Sequence, residues 1–244
     1  MFLYSAIISI SMAIGNYKIL SVLELKNYLK IESRDILDYD IQIPTSLAFT
    51  YYLKSGNVIL LPNNLLDNSK GLLFESKELY EYYAKNETFP IENEDASLEE
   101  FYQEEVLSID KRTLIMKECL ADKFNIVKNN TSLEELLDVS KKNKLKGKDI
   151  FYAGALLGDL IRQQHNGQWM LLKMYGTFNS YYTLAITYPD GSVIILKDVL
   201  DRYFLDSKMT LSNFLRERYI MTPSMKINTP FFQHAYANRY KILE

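Results

Sequence analysis

Apolar residues recur at helical spacing in "VLELKNYL" (22–29), where Val22, Leu25 and Leu29 form one stripe and Glu24, Lys26 and Asn27 take the polar side. That spacing predicts a short amphipathic helix lying over a sheet. The period changes in "TSLAFTYYLKSGNVILLP" after Pro44, where two β-rich runs flank the turn residues Lys54 to Asn57 and predict a hairpin. Helical spacing returns in "SKELYEYYAKN" through Leu79, Tyr82 and Tyr83, with Ser76 as the N-cap. In "EEFYQEEVLSIDKRTLIMKECLADKF", Phe101, Val106, Ile109, Leu114, Met116 and Leu120 predict a helix with a break near Ser108 to Asp110. Thr131 or Ser132 caps a further short helix, whose end carries five lysines between 141 and 148, the usual pattern of a solvated carboxyl terminus. Asp149 is the expected cap of the next helix, with Ile150, Ala153, Leu157, Leu160 and Ile161 in one stripe and a stop at Asn166-Gly167.

Three β-rich runs follow, "QWMLLKMY", "YYTLAITY" and "SVIIL", the last two joined by the turn sequence Pro189-Asp190-Gly191. In the first run, Trp169 and Leu171 alternate with Met170, Leu172 and Met174, and the Met-Leu-Met side is the expected core face. Two helices, "KDVLDRYFL" and "TLSNFLRERY", precede a tail that reads as irregular and aromatic after Pro223. Gly154 and Gly158 share one helix face, where they permit close approach of another backbone. Residues 46–67 and 183–201 align as strand, turn, strand and helix start, which raises two related modules beside chance likeness between hairpins. The expected fold is α+β, with antiparallel hairpins and a meander flanked by helices, divided into an N-terminal region 1–90 and a domain 91–244.

Composition narrows the chemistry. With 244 residues, 48% hydrophobic, 24% charged, 19 Tyr and 12 Phe, the chain supports a packed core. A net charge of -3 argues against a nucleic-acid partner, since phosphate affinity rests on Lys and Arg. A single cysteine, Cys119, forms no internal disulfide, and two histidines with one cysteine are too few softer ligands for structural zinc, so no metal or other cofactor is expected. The apolar start "MFLYSAIISISMAIG" lacks a basic leader and is shorter than the ~20 residues of a spanning helix. It is expected to be a buried first element or an extension upstream of a start at Met12, in a cytoplasmic protein without a membrane span.

Eight carboxylates and no Lys or Arg lie between Glu87 and Glu105, and Ser97 to Glu100 has the spacing of a capping box. This stretch is expected to be an exposed acidic linker running into a helix, either merely solvated or steering a cationic partner through Glu92, Glu94, Asp95, Glu99 and Glu100. Trp169 and Tyr181, with Tyr182, Tyr188 and Tyr203, supply interface-type side chains that could equally be half-buried strand residues. Neither a nucleophile elbow nor a glycine-rich phosphate loop occurs. His165 with Asp159 and Cys119 is the one arrangement from which a triad can be assembled, against the commoner role of a histidine at a helix terminus. No catalytic residue is assigned.

The order "YAGALLGDLIRQQHNGQW" then "LAITYPDGSVIILKDVLDRYF" resembles uncharacterised bacterial α+β domains in which a helix with G-[ED] precedes a Gly-x-Trp and a meander. Similar domains occur among immunity proteins of bacterial toxin systems. The matching positions are Gly158, Asp159, Gly167, Trp169, Gly191 and Val199, within about residues 150–204, and Asp159 stands where Glu is expected. As turn, packing and cap types, Gly154, Gly158, Asp159, Gly167 and Gly191 imply a scaffold. The expected function is therefore non-catalytic protein binding, with a toxin as the partner that the resemblance implies. The alternatives are an enzyme with a site near His165, Asp159 and Trp169, and a structural or regulatory module of a larger assembly.

Overall fold

All four residues of Val58–Leu61 are buried in the computed structural model, so this strand shows no alternation of apolar and polar positions. A strand covered on both faces reads as one apolar run. The structure describes residues 16–31, 36–40, 48–63, 69–93, 96–125, 132–205, 208–216 and 225–243. The expected first element in residues 1–15, Thr131, Glu94 and Asp95 lie outside them. The fold is α+β, with two antiparallel sheets. Among the described residues, no helix is long and apolar enough to cross a membrane.

The chain divides into two units, one holding the residues up to Ala96 together with Tyr175–Tyr181, the other Ser97–Met174 and the residues from Tyr182 on. In the first unit the strands β1 (Tyr17–Ser21), β2 (Ile36–Asp40), β3 (Phe49–Leu53), β4 (Val58–Leu61) and β5 (Lys70–Phe74) are ordered β1-β5-β4-β3-β2. Helix α1 (Val22–Ile31) sets Val22 and Leu25 against Leu53, Ile59, Leu61 and Leu73 on one face of the sheet. Helix α2 (Lys77–Asn86), capped by Ser76, sets Leu79, Tyr80 and Tyr83 against Val58, Leu60, Leu72 and Phe74 on the other.

Phe178 joins that second cluster, and two asparagines fix the loop that carries it. Asn93 Oδ1 accepts from the backbone N–H groups of Phe178 (2.7 Å) and Asn179 (3.3 Å), while its Nδ2 donates to the Asn179 carbonyl (3.2 Å). Asn179 Nδ2 donates in turn to the carbonyls of Phe89 (3.0 Å) and Ile91 (2.8 Å). Loop backbone that would otherwise lack partners is thereby satisfied by side-chain amides.

In the second unit the segment expected as one interrupted helix forms three, α3 (Leu98–Phe101), α4 (Gln103–Leu107) and α5 (Ile109–Lys123), broken at Tyr102 and Ser108. They are followed by α6 (Leu133–Lys142), α7 (Lys148–Gln164), α8 (Leu196–Leu200), a π-helical turn at Asp201–Leu205, α9 (Leu211–Arg216) and α10 (Pro230–Ala235). The second sheet, ordered β10-β6-β7-β8-β9, comprises β6 (Gln168–Tyr175), β7 (Ser180–Thr187), β8 (Ser192–Ile195), β9 (Met225–Lys226) and β10 (Tyr240–Ile242), all in this unit except the end of β6 and the start of β7. The tail expected to be irregular therefore supplies both edge strands and α10. Strands of two and three residues carry too little pattern to be seen in sequence, and pairing with β8 and β6 creates them.

Two further expectations change. The larger core lies on the Trp169 and Leu171 side of β6, against α7, while Met170 and Leu172 meet Phe232 of α10 in a smaller cluster. Gly147, at a φ of 55°, rather than Asp149, stands at the start of α7, and Asp149 in the first turn pairs with Lys123 instead.

Candidate functional site

The helix terminus and strand that carry the resemblance are built as a scaffold. A Cβ on Gly158 would come 2.7 Å from Trp169 Cη2, and one on Gly154 would collide with the Leu200 side chain. Side chains, not another backbone, occupy the space these glycines leave. Asp159 accepts from Arg162 Nη2 (2.6 Å) and Nε (2.9 Å) and from Gln163 Nε2 (2.8 Å), holding the guanidinium 5.9 Å from the Trp169 ring centroid. That is cation–π distance. Trp169 is buried, His165 is the C-cap of α7, and Cys119 is exposed on α5. The carboxylate a triad would need is committed to Arg162 and Gln163.

The acidic stretch also differs from a solvated linker. Glu92 is exposed and Tyr181 half-buried in the first unit, and Glu100 closes a capping box with Ser97 in the second. Glu99 is only 2% exposed, and Glu105, also buried, pairs with Lys148 Nζ at 2.6 Å. Burial raises the Glu105 carboxyl, but the Lys148 hydrogen bond, backbone bonding and the Lys148 and Arg112 charges outweigh it and hold the group below its ordinary range. Gln103 uses its side-chain amide as a strand would, donating to the Tyr182 carbonyl (2.6 Å) and accepting from the Tyr182 N–H (2.9 Å).

A cleft of about 1050 Å³ opens in the second unit. Leu145, Ile150, Tyr203, Phe204, Met209 and Leu211 give it apolar walls, and Lys142, Lys144 and Lys146 stand exposed at its rim. Local sequence explains each wall. Ser132 starts α6 with a capping box, so Leu136, Leu137 and Ser140 face inward and Lys141 and Lys142 fall in the last turn. Lys144, at a φ of 48°, and Gly147 then turn the chain sharply between α6 and α7 and present the lysines outward.

Tyr203 is the fixed point of the cleft. Its ring meets Phe204 and Phe214 at centroid distances of 4.9 and 5.4 Å, and Lys141 Nζ lies 4.3 Å from its centroid while donating to the Met209 carbonyl. Burial, then the charge of Asp138, push its phenol up to about 12, so it stays a neutral hydroxyl in the physiological range. Among the described residues, Asp138 is the one acid that lines the cleft. Among the described residues, Lys142, Lys144 and Lys146 make no ion pair with a carboxylate, so the rim presents unneutralised positive charge over an apolar floor. The sequence contained this signal as a lysine run, but the apolar half comes from residues about sixty positions away.

A second cavity of about 160 Å³ contains Glu99 and shares Ile150 with the cleft. Burial raises the Glu99 carboxyl above its ordinary 4.5, with backbone bonding and Thr183 opposing. A raised folded value means that stability falls as pH climbs from the unfolded value through the folded one, then levels off with the charge buried. Glu99→Gln is therefore expected to melt at a higher temperature than the parent at neutral pH and at the same temperature below about pH 4. Thermal unfolding across that range checks it, and a lower neutral melting point would contradict the assignment.

Among the described residues, no group of three or more His, Cys, Asp and Glu is placed to hold a metal ion. Comparison with protein families, with curated proteins and with solved structures finds no match to the chain.

Proposed function

We propose that the chain is a binding protein whose second unit takes an acidic segment of a partner protein, anchored by an aromatic or aliphatic side chain, in the lysine-rimmed cleft. The observation that carries this is the pairing of an unneutralised Lys142, Lys144 and Lys146 rim with an apolar floor. Positive rims steer acidic partners and raise association rates, whereas desolvated apolar pockets supply most of the affinity. Of the acidic face weighed from sequence, Glu99 is buried and Glu100 closes a cap, while Glu92 is exposed, so the lysine rim is the better-supported surface. The resemblance of residues 150–204 supports a bacterial toxin as the partner and an immunity role in the cytoplasm. Ile150 and Tyr203 of that segment line the cleft.

The experiment mixes the chain with the product of the neighbouring gene and measures association over a salt series. Lys142→Glu, Lys144→Glu and Lys146→Glu together are expected to slow association by roughly 10- to 100-fold at low salt and to flatten the salt dependence. Phe204→Ala is expected to speed dissociation, at a cost of about 1–2 kcal/mol. A complex indifferent to all four changes, or no complex, contradicts the proposal.

A further inference from the structure

Glu99 poses a physical problem that the rest of the second unit leaves unsolved. Its carboxyl is almost fully buried, and its hydrogen bond with another side chain is a long one, from Thr183 Oγ1 at 3.4 Å. The adjoining pocket is walled by Leu98, Ile150 and Leu200, side chains that cannot solvate a charge. Lys197 also lines it, yet its Nζ is held by Asp201 at 2.6 Å, so that the two charges at the pocket cancel each other rather than Glu99. A buried carboxylate without a close cation is costly, and the cost is recovered when a counter-charge arrives in a water-poor site.

We propose that this pocket binds a small organic cation, a primary ammonium or amidinium group on a short apolar body, with its charge against the Glu99 carboxylate and its body against Leu98, Ile150 and Leu200. Size agrees with this class. A volume of about 160 Å³ corresponds to about five water-sized atoms, the number of heavy atoms in n-butylammonium. Binding requires the ionised carboxylate, so affinity rises with pH as Glu99 titrates. Lys197 and Asp201, the other charged groups facing the carboxyl, remain paired through that change. The site involves none of the rim lysines, so it stands or falls independently of the cleft.

The test is calorimetry of the full chain with n-butylammonium chloride, and with n-butanol as the uncharged analogue of the same shape. Butylammonium is expected to bind at least about tenfold more tightly than butanol, and Glu99→Gln to remove that preference while folding at least as stably as the parent. At about pH 5, just above the ordinary carboxyl range, binding to the unaltered chain is expected to release protons, seen as a heat that changes with the buffer's ionisation enthalpy. Should Glu99→Gln fail to fold, that proton release decides the matter. Equal binding of alcohol and ammonium, binding unchanged by Glu99→Gln, absence of proton release, or no binding at all overturns the proposal.

Discussion

Gly167→Val is expected to destabilise the second unit by about 3 kcal/mol or more, a typical upper cost for forcing atoms into a filled core. A Cβ at this position would lie 2.7 Å from Ile186 Cγ2, 3.1 Å from Tyr188 Cε1 and 3.3 Å from the Thr187 carbonyl oxygen. The first of these atoms sits on a short, stiff side chain and the last is backbone, so neither yields easily. The turn at the end of α7 is made by its neighbour. Asn166 adopts the left-handed conformation at a φ of 53°, and the Gly167 N–H closes the helix on the Arg162 carbonyl at 2.8 Å. Asn166→Gly is accordingly expected to change stability by less than about 1 kcal/mol, since glycine adopts that conformation without strain. Denaturant unfolding of the two variants separates packing from turn geometry. A tolerated Gly167→Val together with a damaging Asn166→Gly would reverse the assignment.

Asn179→Ala is expected to cost the first unit about 2–3 kcal/mol. It deletes both donors to the Phe89 and Ile91 carbonyls and leaves those groups, which are part-buried, without the amide. Asn93→Ala removes three further hydrogen bonds around Phe178 and Asn179 and is expected to cost a similar amount. Because the two amides hold one loop, their effects should not add. The double variant is expected to be more stable than the sum of the singles predicts, by roughly 1 kcal/mol, in a double-mutant cycle. Additive losses would mean that the asparagines act separately. Near-neutral single variants would mean that Phe178 packing alone positions the loop.

Both cases show how far the sequence could be followed. Local signals with a backbone mechanism were legible: Ser76 and Ser132 as caps, the Ser97 to Glu100 capping box, the Lys54 to Asn57 hairpin, and Pro189-Asp190-Gly191 with Gly191 at a φ of 79°. Each depends on residues within four positions of one another. What was missed depends on partners far along the chain. β1 pairs with β5 across about fifty residues, and "KGLLF" shows no alternation because both of its faces are covered. Glu99 read as surface charge because pattern alone cannot see Thr183, Leu200 and Ile150 closing around it.

The candidate site divides in the same way. Lysines 141 to 148 were visible, but their usual meaning is a solvated helix end, and only the proximity of Tyr203, Phe204 and Met209 turns them into the rim of a cleft. Trp169 reads from sequence as an interface-type side chain, whereas its burial against Gly158 and the Asp159–Arg162 pair makes it packing.

The central claim, that the cleft receives an acidic segment with an apolar anchor, is tested most directly by amide chemical-shift mapping with a short glutamate-rich peptide carrying one tryptophan. Shifts are expected to concentrate at Lys142, Leu145, Lys146, Ile150, Phe204 and Met209 and to vanish when the three rim lysines are reversed to glutamate. No shifts, or shifts confined to residues outside the cleft, would contradict it.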